Sequence, residues 1–96
     1  KKKTKINKKN IMCIDDIKSN LFTLMSVIEN YDDDDLYNII IVQSAQEGLD
    51  VLLKQDIDII LLDVMMPEID GFEAANMIKS NKKTKPRKSY VLEVRI

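Results

Sequence analysis

Residues 57–63 have the sequence IDIILLD, an apolar run that ends on a carboxylate. A short run of this kind, rich in isoleucine and leucine, predicts a strand that is covered on both faces. Asp63 is therefore expected where a buried strand meets a loop. The upstream run Ile11–Ile14 ends in the same way, on Asp15 and Asp16. Two strand ends thus supply three acidic side chains.

The rest of the chain alternates between helical and extended patterns. Apolar residues at helical spacing run from Leu21 to Ile28, and a β-branched strand follows at Ile39–Val42. A helix capped by Ser44 and Glu47 then precedes the strand at 57–62. Asp70 and Glu73 open a third helix, and a strand-like segment lies at Tyr90–Val94. Alternating elements with apolar strands predict an α/β fold, a doubly wound parallel sheet with helices on both faces.

The three acidic residues are expected to converge if the first and third strands are parallel neighbours. Open α/β sheets place their ligands at the carboxyl ends of the strands. Carboxylates clustered there repel one another unless a cation is present. The pattern therefore predicts a divalent metal site that contains Asp15, Asp16 and Asp63.

Length and composition narrow the function classes. The 96 residues allow one domain, and no apolar stretch approaches the roughly 20 residues of a membrane helix. The chain has fifteen basic and sixteen acidic residues, and this charge balance does not indicate a nucleic-acid-binding surface. The absence of histidine excludes histidine general bases, histidine metal ligands and Ser-His-Asp or Cys-His hydrolases. One cysteine excludes an internal disulfide and favours a reducing cytoplasm.

The lysine-rich segment 1–10 has no apolar periodicity and is predicted to be a flexible lead-in. It lacks the apolar core and cleavage site of a signal peptide, so secretion is not indicated. We expect the folded domain to span residues 11–96.

Four features together resemble the receiver domain of two-component response regulators. They are the Asp15-Asp16 pair, Asp63, Met66-Pro67 just after it, and Asp70-Gly71-Phe72-Glu73 at the start of the third helix. The resemblance covers about residues 10–85. It implies a flavodoxin-like sheet of strand order 2-1-3-4-5, in which the first and third strands are neighbours.

The resemblance also implies residue roles. Asp63 would be the phosphoacceptor that takes a phosphoryl group from a histidine kinase or phosphotransfer protein. Asp16 would bind Mg²⁺ directly and Asp15 mainly through water, with Asp63 and the backbone carbonyl of Met65 completing the protein ligands. An output domain would lie outside this chain. The module would be a switch and not a turnover enzyme.

The resemblance weakens after Lys85. Family members carry a Thr or Ser at the end of the fourth strand and a Lys at the end of the fifth. The first of these positions falls at or near Glu93, and the second finds no counterpart. We therefore expect a domain that is incomplete after the fourth strand and lacks the fourth helix, fifth strand and fifth helix. An exposed fourth strand would favour self-association through the sheet edge.

Two other functions stay open at this point. The first is an interaction or dimerisation module that keeps the acidic metal pocket but does not switch. The second is a phosphatase of the haloacid dehalogenase type, which also uses a strand-end aspartate. That family requires a second aspartate two residues later, where this chain has Met65.

Overall fold

The computed structural model describes residues 7–63 and 90–94. These residues form, in chain order, β1 (Lys9–Ile14), α1 (Lys18–Tyr31), β2 (Tyr37–Val42), α2 (Ala45–Lys54), β3 (Ile59–Asp63) and β4 (Tyr90–Val94). The predicted third helix from Asp70, the turn at Met66 and Pro67, and Met65 lie outside the described residues. No helix among the described residues is long and apolar enough to cross a membrane.

The four strands form one parallel sheet of order β2-β1-β3-β4. This is the predicted doubly wound arrangement, since the chain moves from β1 outward to β2 and then crosses to the other side of β1. The topological switch point therefore lies between β1 and β3. Ile14 pairs with both Val42 and Leu62, so the carboxyl ends of these strands are level. Ligands of open α/β sheets bind at this position.

The strands are apolar on both faces because each face has its own core. One cluster packs with α2 and contains Met12, Ile14, Val42, Ala45, Leu49, Ile57, Ile60 and Leu62. The other packs with α1 and contains Ile11, Cys13 and Leu21, with Leu24 and Ile28 packed against it. Alternation along β1 sends successive side chains to opposite clusters. This two-sided burial holds β1 at the centre of the sheet.

The start of α2 confirms the cap predicted at Ser44. The Ser44 hydroxyl accepts a hydrogen bond from the Glu47 backbone N–H at 3.1 Å. The Glu47 carboxylate in turn accepts from the Gln43 N–H at 2.7 Å. A capping box would usually send this second bond to the cap residue itself. Here the carboxylate reaches one residue further back, which ties the end of β2 to the first turn of α2.

Three strand starts differ from the prediction. β3 begins at Ile59, two residues later than the predicted start at Ile57, whereas β1 and β2 begin earlier than predicted. β1 begins at Lys9, so the lead-in predicted for residues 1–10 extends two residues too far. The Lys9 N–H donates to the Leu36 carbonyl at 2.9 Å, and Lys9 pairs with Tyr37. β2 correspondingly begins at Tyr37 instead of Ile39. Backbone pairing extends both strands beyond their apolar runs, because ladder hydrogen bonds do not depend on side-chain polarity.

Candidate metal centre

Three carboxylates meet where β1 and β3 end. Asp63 is the last residue of β3, and Asp15 and Asp16 directly follow β1. One oxygen from each lies within 4.8 Å of the others. Asp15 and Asp63 are buried. The parallel pairing of β1 with β3 thus brings together the acidic residues singled out in the sequence, whereas Met65, the fourth predicted ligand, lies outside the described residues.

Asp15 is held from two directions. Its Oδ1 accepts a hydrogen bond from the Ile17 N–H at 2.9 Å, and its Oδ2 accepts from the Asn20 side-chain amide at 3.1 Å. The Asp15 N–H donates to the Val42 carbonyl at 3.2 Å, which fixes its backbone beside β2. Ile17, the residue before α1, provides no side-chain cap. Asp15 therefore shapes the turn into α1 instead of capping the helix.

Asp16 has a different environment. Its Oδ1 is buried and accepts no hydrogen bond from the described residues. Its backbone carbonyl accepts a long bond of 3.4 Å from the Gln43 side chain. A buried carboxylate oxygen without a donor is costly unless a cation approaches it. Asp16 is therefore the residue of this cluster whose free oxygen best fits a metal ligand.

The repulsion within the cluster is large enough to favour a cation. Two unit charges 4.8 Å apart repel by about 3 kcal/mol at an effective dielectric constant of about 20. Three mutually close carboxylates form three such pairs. A hydrogen bond to a charged group, such as the two that Asp15 accepts, stabilises by about 1.5–3 kcal/mol. A divalent cation held by these carboxylates would replace the repulsion with attraction, and an all-oxygen set suits Mg²⁺.

Cys13 does not belong to this centre. Burial raises the pKa of its thiol to about 11, so it is protonated at neutral pH, whereas metal binding requires the thiolate. Its side chain also lies in the cluster packed against α1. The chemistry of the site is therefore that of hard oxygen ligands.

The register of β4 shows which residue lies beside Asp63 on the side of β3 that faces away from β1. Val94 pairs with Asp63, and Glu93 pairs with Leu62. Glu93 is exposed. Residues 90–94 contain neither serine nor threonine. In the described part of β4, an apolar side chain therefore occupies the position next to the acidic cluster.

Sequence reasoning missed Asn20 and Gln43. Asn20 follows Asp15 by five residues and lies in the first turn of α1, close enough to return to the preceding carboxylate. Gln43 follows the last residue of β2, at the same edge of the sheet. Placing polar residues at every strand end and first helical turn would have identified both.

Comparison with known proteins agrees with the α/β fold described above. The sequence profile of the response regulator receiver domain matches residues 11–90. A probable cyclic di-GMP phosphodiesterase of Vibrio cholerae is 34% identical over 74 residues, covering 77% of this chain and 16% of that protein. The chain thus spans less than a fifth of that relative.

Two solved structures have similar folds. A chain from the crystal structure of the histidine kinase ThkA in complex with the response regulator TrrA has a TM-score of 0.73 at 24% identity, covering 91% of this chain and 68% of that one. The receiver domain of the sensor histidine kinase PA1611 from Pseudomonas aeruginosa PAO1, with a magnesium ion in its active-site cleft, has a TM-score of 0.71 at 17% identity, covering 90% and 66%. At these identities the likeness shows the fold alone.

Proposed function

Because this chain belongs to the response regulator receiver domain family, a family of two-component signalling modules, we propose that it is a phosphoacceptor. In this proposal, Asp63 receives a phosphoryl group from a histidine kinase or phosphotransfer protein with Mg²⁺ present. The observation that carries it is the meeting of three carboxylates within 4.8 Å at the switch point of the sheet. The burial of Asp63 beside an Asp16 oxygen without a donor among the described residues supports the same role.

The transfer needs no general base in this chain. A carboxylate oxygen of Asp63 attacks the phosphorus of a phosphohistidine, and the O–P bond forms as the N–P bond breaks. The electron pair of the broken bond returns to the imidazole nitrogen of the donor, which takes up a proton. The product is an acyl phosphate on Asp63. The absence of histidine in this chain is consistent with a donor that belongs to a partner.

The metal ligands in this proposal are Asp16 directly, Asp15 through water, Asp63, and the backbone carbonyl of Met65. Bound Mg²⁺ would offset the negative charge of the carboxylates and of the incoming phosphoryl oxygens. Asp15 fits a water-mediated role because each of its oxygens already accepts one hydrogen bond. Asp16 fits a direct role because its Oδ1 has no donor among the described residues.

The setting that we propose is a cytoplasmic relay. A histidine kinase supplies the phosphoryl group, and a domain other than this one produces the output. The TrrA structure, which contains a histidine kinase bound to a response regulator, supports the choice of partner. The net charge of −1 gives no support to nucleic acid as a direct partner.

One observation favours the second candidate, a metal-binding interaction module that does not switch. Val94, and no hydroxyl residue, pairs with Asp63 on β4. Family members carry a Thr or Ser near this point, at or near the position of Glu93, to bond the phosphoryl group, and residues 90–94 contain neither. A domain without that contact could keep its metal site and its partner surfaces while losing the conformational response to phosphorylation.

We further propose that β4 mediates self-association with a second copy of this chain. β4 lies at one edge of the described sheet. Tyr90 and Leu92 are 74% and 52% exposed, and both lie on one face of the strand. An edge strand with exposed apolar side chains favours pairing with another strand.

The test of phosphorylation is to incubate the protein with Mg²⁺ and acetyl phosphate and to record the intact mass. The Asp63→Asn variant and a sample with EDTA are the controls. We expect a gain of one phosphoryl group that requires both Asp63 and the metal. A wild-type protein that binds Mg²⁺ but never gains mass would refute the phosphoacceptor role and support the non-switching module.

A further inference from the structure

Asn20 provides the side-chain donor that holds Asp15 within the acidic cluster. Its amide nitrogen lies 3.1 Å from Asp15 Oδ2, and both groups are partly or fully buried. The adjacent carboxylate of Asp16 has an oxygen without a donor among the described residues. Two consecutive aspartates thus have different surroundings, and Asn20 contributes to that difference.

The chemistry of an amide suits this position. A carboxylate pair that must attract a cation loses affinity if a lysine or arginine neutralises it, because the positive side chain competes with the metal. An amide donates a hydrogen bond without adding charge. Asn20 therefore orients Asp15 while leaving the full negative charge of the cluster available. One lone pair on each Asp15 oxygen remains free to accept from a metal-bound water.

The position of Asn20 links the site to α1. The Asn20 N–H donates to the Ile17 carbonyl at 3.1 Å, so its backbone belongs to the first turn of the helix. The Ile17 N–H in turn donates to Asp15 Oδ1. The two donors to Asp15 therefore come from one helical turn, which has no side-chain cap of its own. A change in the charge of the cluster would therefore act directly on two hydrogen bonds made by this turn.

We infer that Asn20 is a positioning residue for the metal site, which holds the Asp15 carboxylate in its water-mediated role and couples Mg²⁺ binding to the first turn of α1. This role rests on the proposed metal site. Hydrogen-bond partners of metal ligands commonly change metal affinity by about 10- to 100-fold when removed. Asn20 is half-buried and acts on a carboxylate that contacts the metal through water, so the lower end of that range applies to it.

The experiment measures Mg²⁺ affinity by calorimetry for the wild type, Asn20→Ala, Asn20→Gln and Asn30→Ala. Asn30 is an exposed asparagine near the other end of the same helix, and it is the matched control. We expect Asn20→Ala to bind Mg²⁺ about tenfold more weakly. Asn20→Gln, which keeps the amide, should recover most of the affinity, and Asn30→Ala should match the wild type. Circular dichroism without metal verifies that each variant is folded.

Hydrogen exchange supplies a second readout. In the wild type, Mg²⁺ should slow exchange of the amides in the first turn of α1, and Asn20→Ala should lose that slowing. A folded Asn20→Ala variant with wild-type Mg²⁺ affinity would overturn the positioning role while leaving the metal site intact. If neither the wild type nor Asp16→Asn bound Mg²⁺, the metal site itself would be refuted, and the role of Asn20 with it.

Discussion

Asn10 and Asp58 join the starts of β1 and β3 through two reciprocal hydrogen bonds. The Asn10 N–H donates to the Asp58 carboxylate at 2.8 Å, and the Asp58 N–H donates to the Asn10 carbonyl at 3.0 Å. The Asn10 side chain also donates to the Asp56 carbonyl at 2.7 Å. This polar connection lies at the end of the sheet opposite the acidic cluster. It explains why β1 extends back to polar residues.

We expect Asp58→Ala to lower the free energy of unfolding by about 2 kcal/mol, because it leaves the partly buried Asn10 N–H without its acceptor. Urea denaturation measures this change. Asp34→Ala, in the exposed loop before β2, is the control and should change stability little. Mg²⁺ affinity should be the same in both variants. Loss of metal binding in Asp58→Ala would show that the two ends of the sheet are not independent.

Ser44→Ala should destabilise the protein by about 1 kcal/mol through loss of the α2 cap. Glu47 would keep its bond to Gln43, so the loss should be partial and α2 should persist. Ser26→Ala is the matched control, since Ser26 is an exposed residue in the interior of α1. That change replaces serine with a better helix former and should be neutral or slightly stabilising. Thermal unfolding of both variants distinguishes the cap from a general serine effect.

The Cys13 thiol predicts a specific dependence of stability on pH. Burial raises its pKa from 9.0 to about 11 in the folded protein. The unfolded chain therefore loses its thiol proton at lower pH than the folded chain does. The contribution of the buried, protonated Cys13 thiol to the free energy of unfolding is fully present below about pH 9. It is lost as the pH rises toward 11.

The Cys13→Ala variant isolates this contribution from the lysines and tyrosines that titrate in the same range. The difference in unfolding free energy between wild type and variant should shrink between pH 9 and 11. A constant difference would contradict the burial of the thiol. Thiol labelling at neutral pH should likewise be slow in buffer and fast in urea.

The sequence predicted the part of the fold that depends on side-chain polarity. Alternating apolar runs located four strands, and parallel topology placed Asp63 beside Asp15. The starts of β1 and β2 were missed because Lys9 and Tyr37 join the ladder through backbone groups. Asn20 was missed because its contact with Asp15 depends on the conformation of the turn between β1 and α1. That turn sets the orientation of the first residues of the helix. The pairing of Val94 with Asp63 could not be predicted from the sequence either, because the register between β3 and β4 depends on their tertiary packing.

Val94→Thr should restore a hydroxyl beside Asp63 without changing the size of the side chain. If the phosphoryl group resides on Asp63, a new hydrogen bond there should extend the lifetime of the adduct by up to about tenfold. The decay of the phosphorylated mass with time measures this lifetime. Leu92→Thr is the matched control, because it lies on the same face of β4 but pairs with Leu61, further from the site. Equal lifetimes in the two variants would show that the side chain at position 94 does not reach a phosphoryl group on Asp63.

Self-association through β4 makes a prediction about single backbone groups. The Tyr90 N–H donates to the Asp58 carbonyl of the preceding segment. Alternate residues of a parallel strand bond to the same neighbour, so the N–H groups of Val91 and Glu93 point away from β3, toward the edge of the described sheet. Glu93→Pro therefore removes an outward donor without breaking a bond to β3, and proline is tolerated at such edge positions.

Light scattering after size exclusion should show an average mass that rises with concentration for the wild type and for Glu93→Ala, which keeps the N–H. Glu93→Pro should remain monomeric over the same range. A wild-type monomer at all concentrations would refute the edge contact. Association that persists in Glu93→Pro but disappears in Leu92→Lys would place the contact on the exposed apolar face of β4 and not on its backbone edge. The reason is that only the lysine introduces a charge among the side chains of that face.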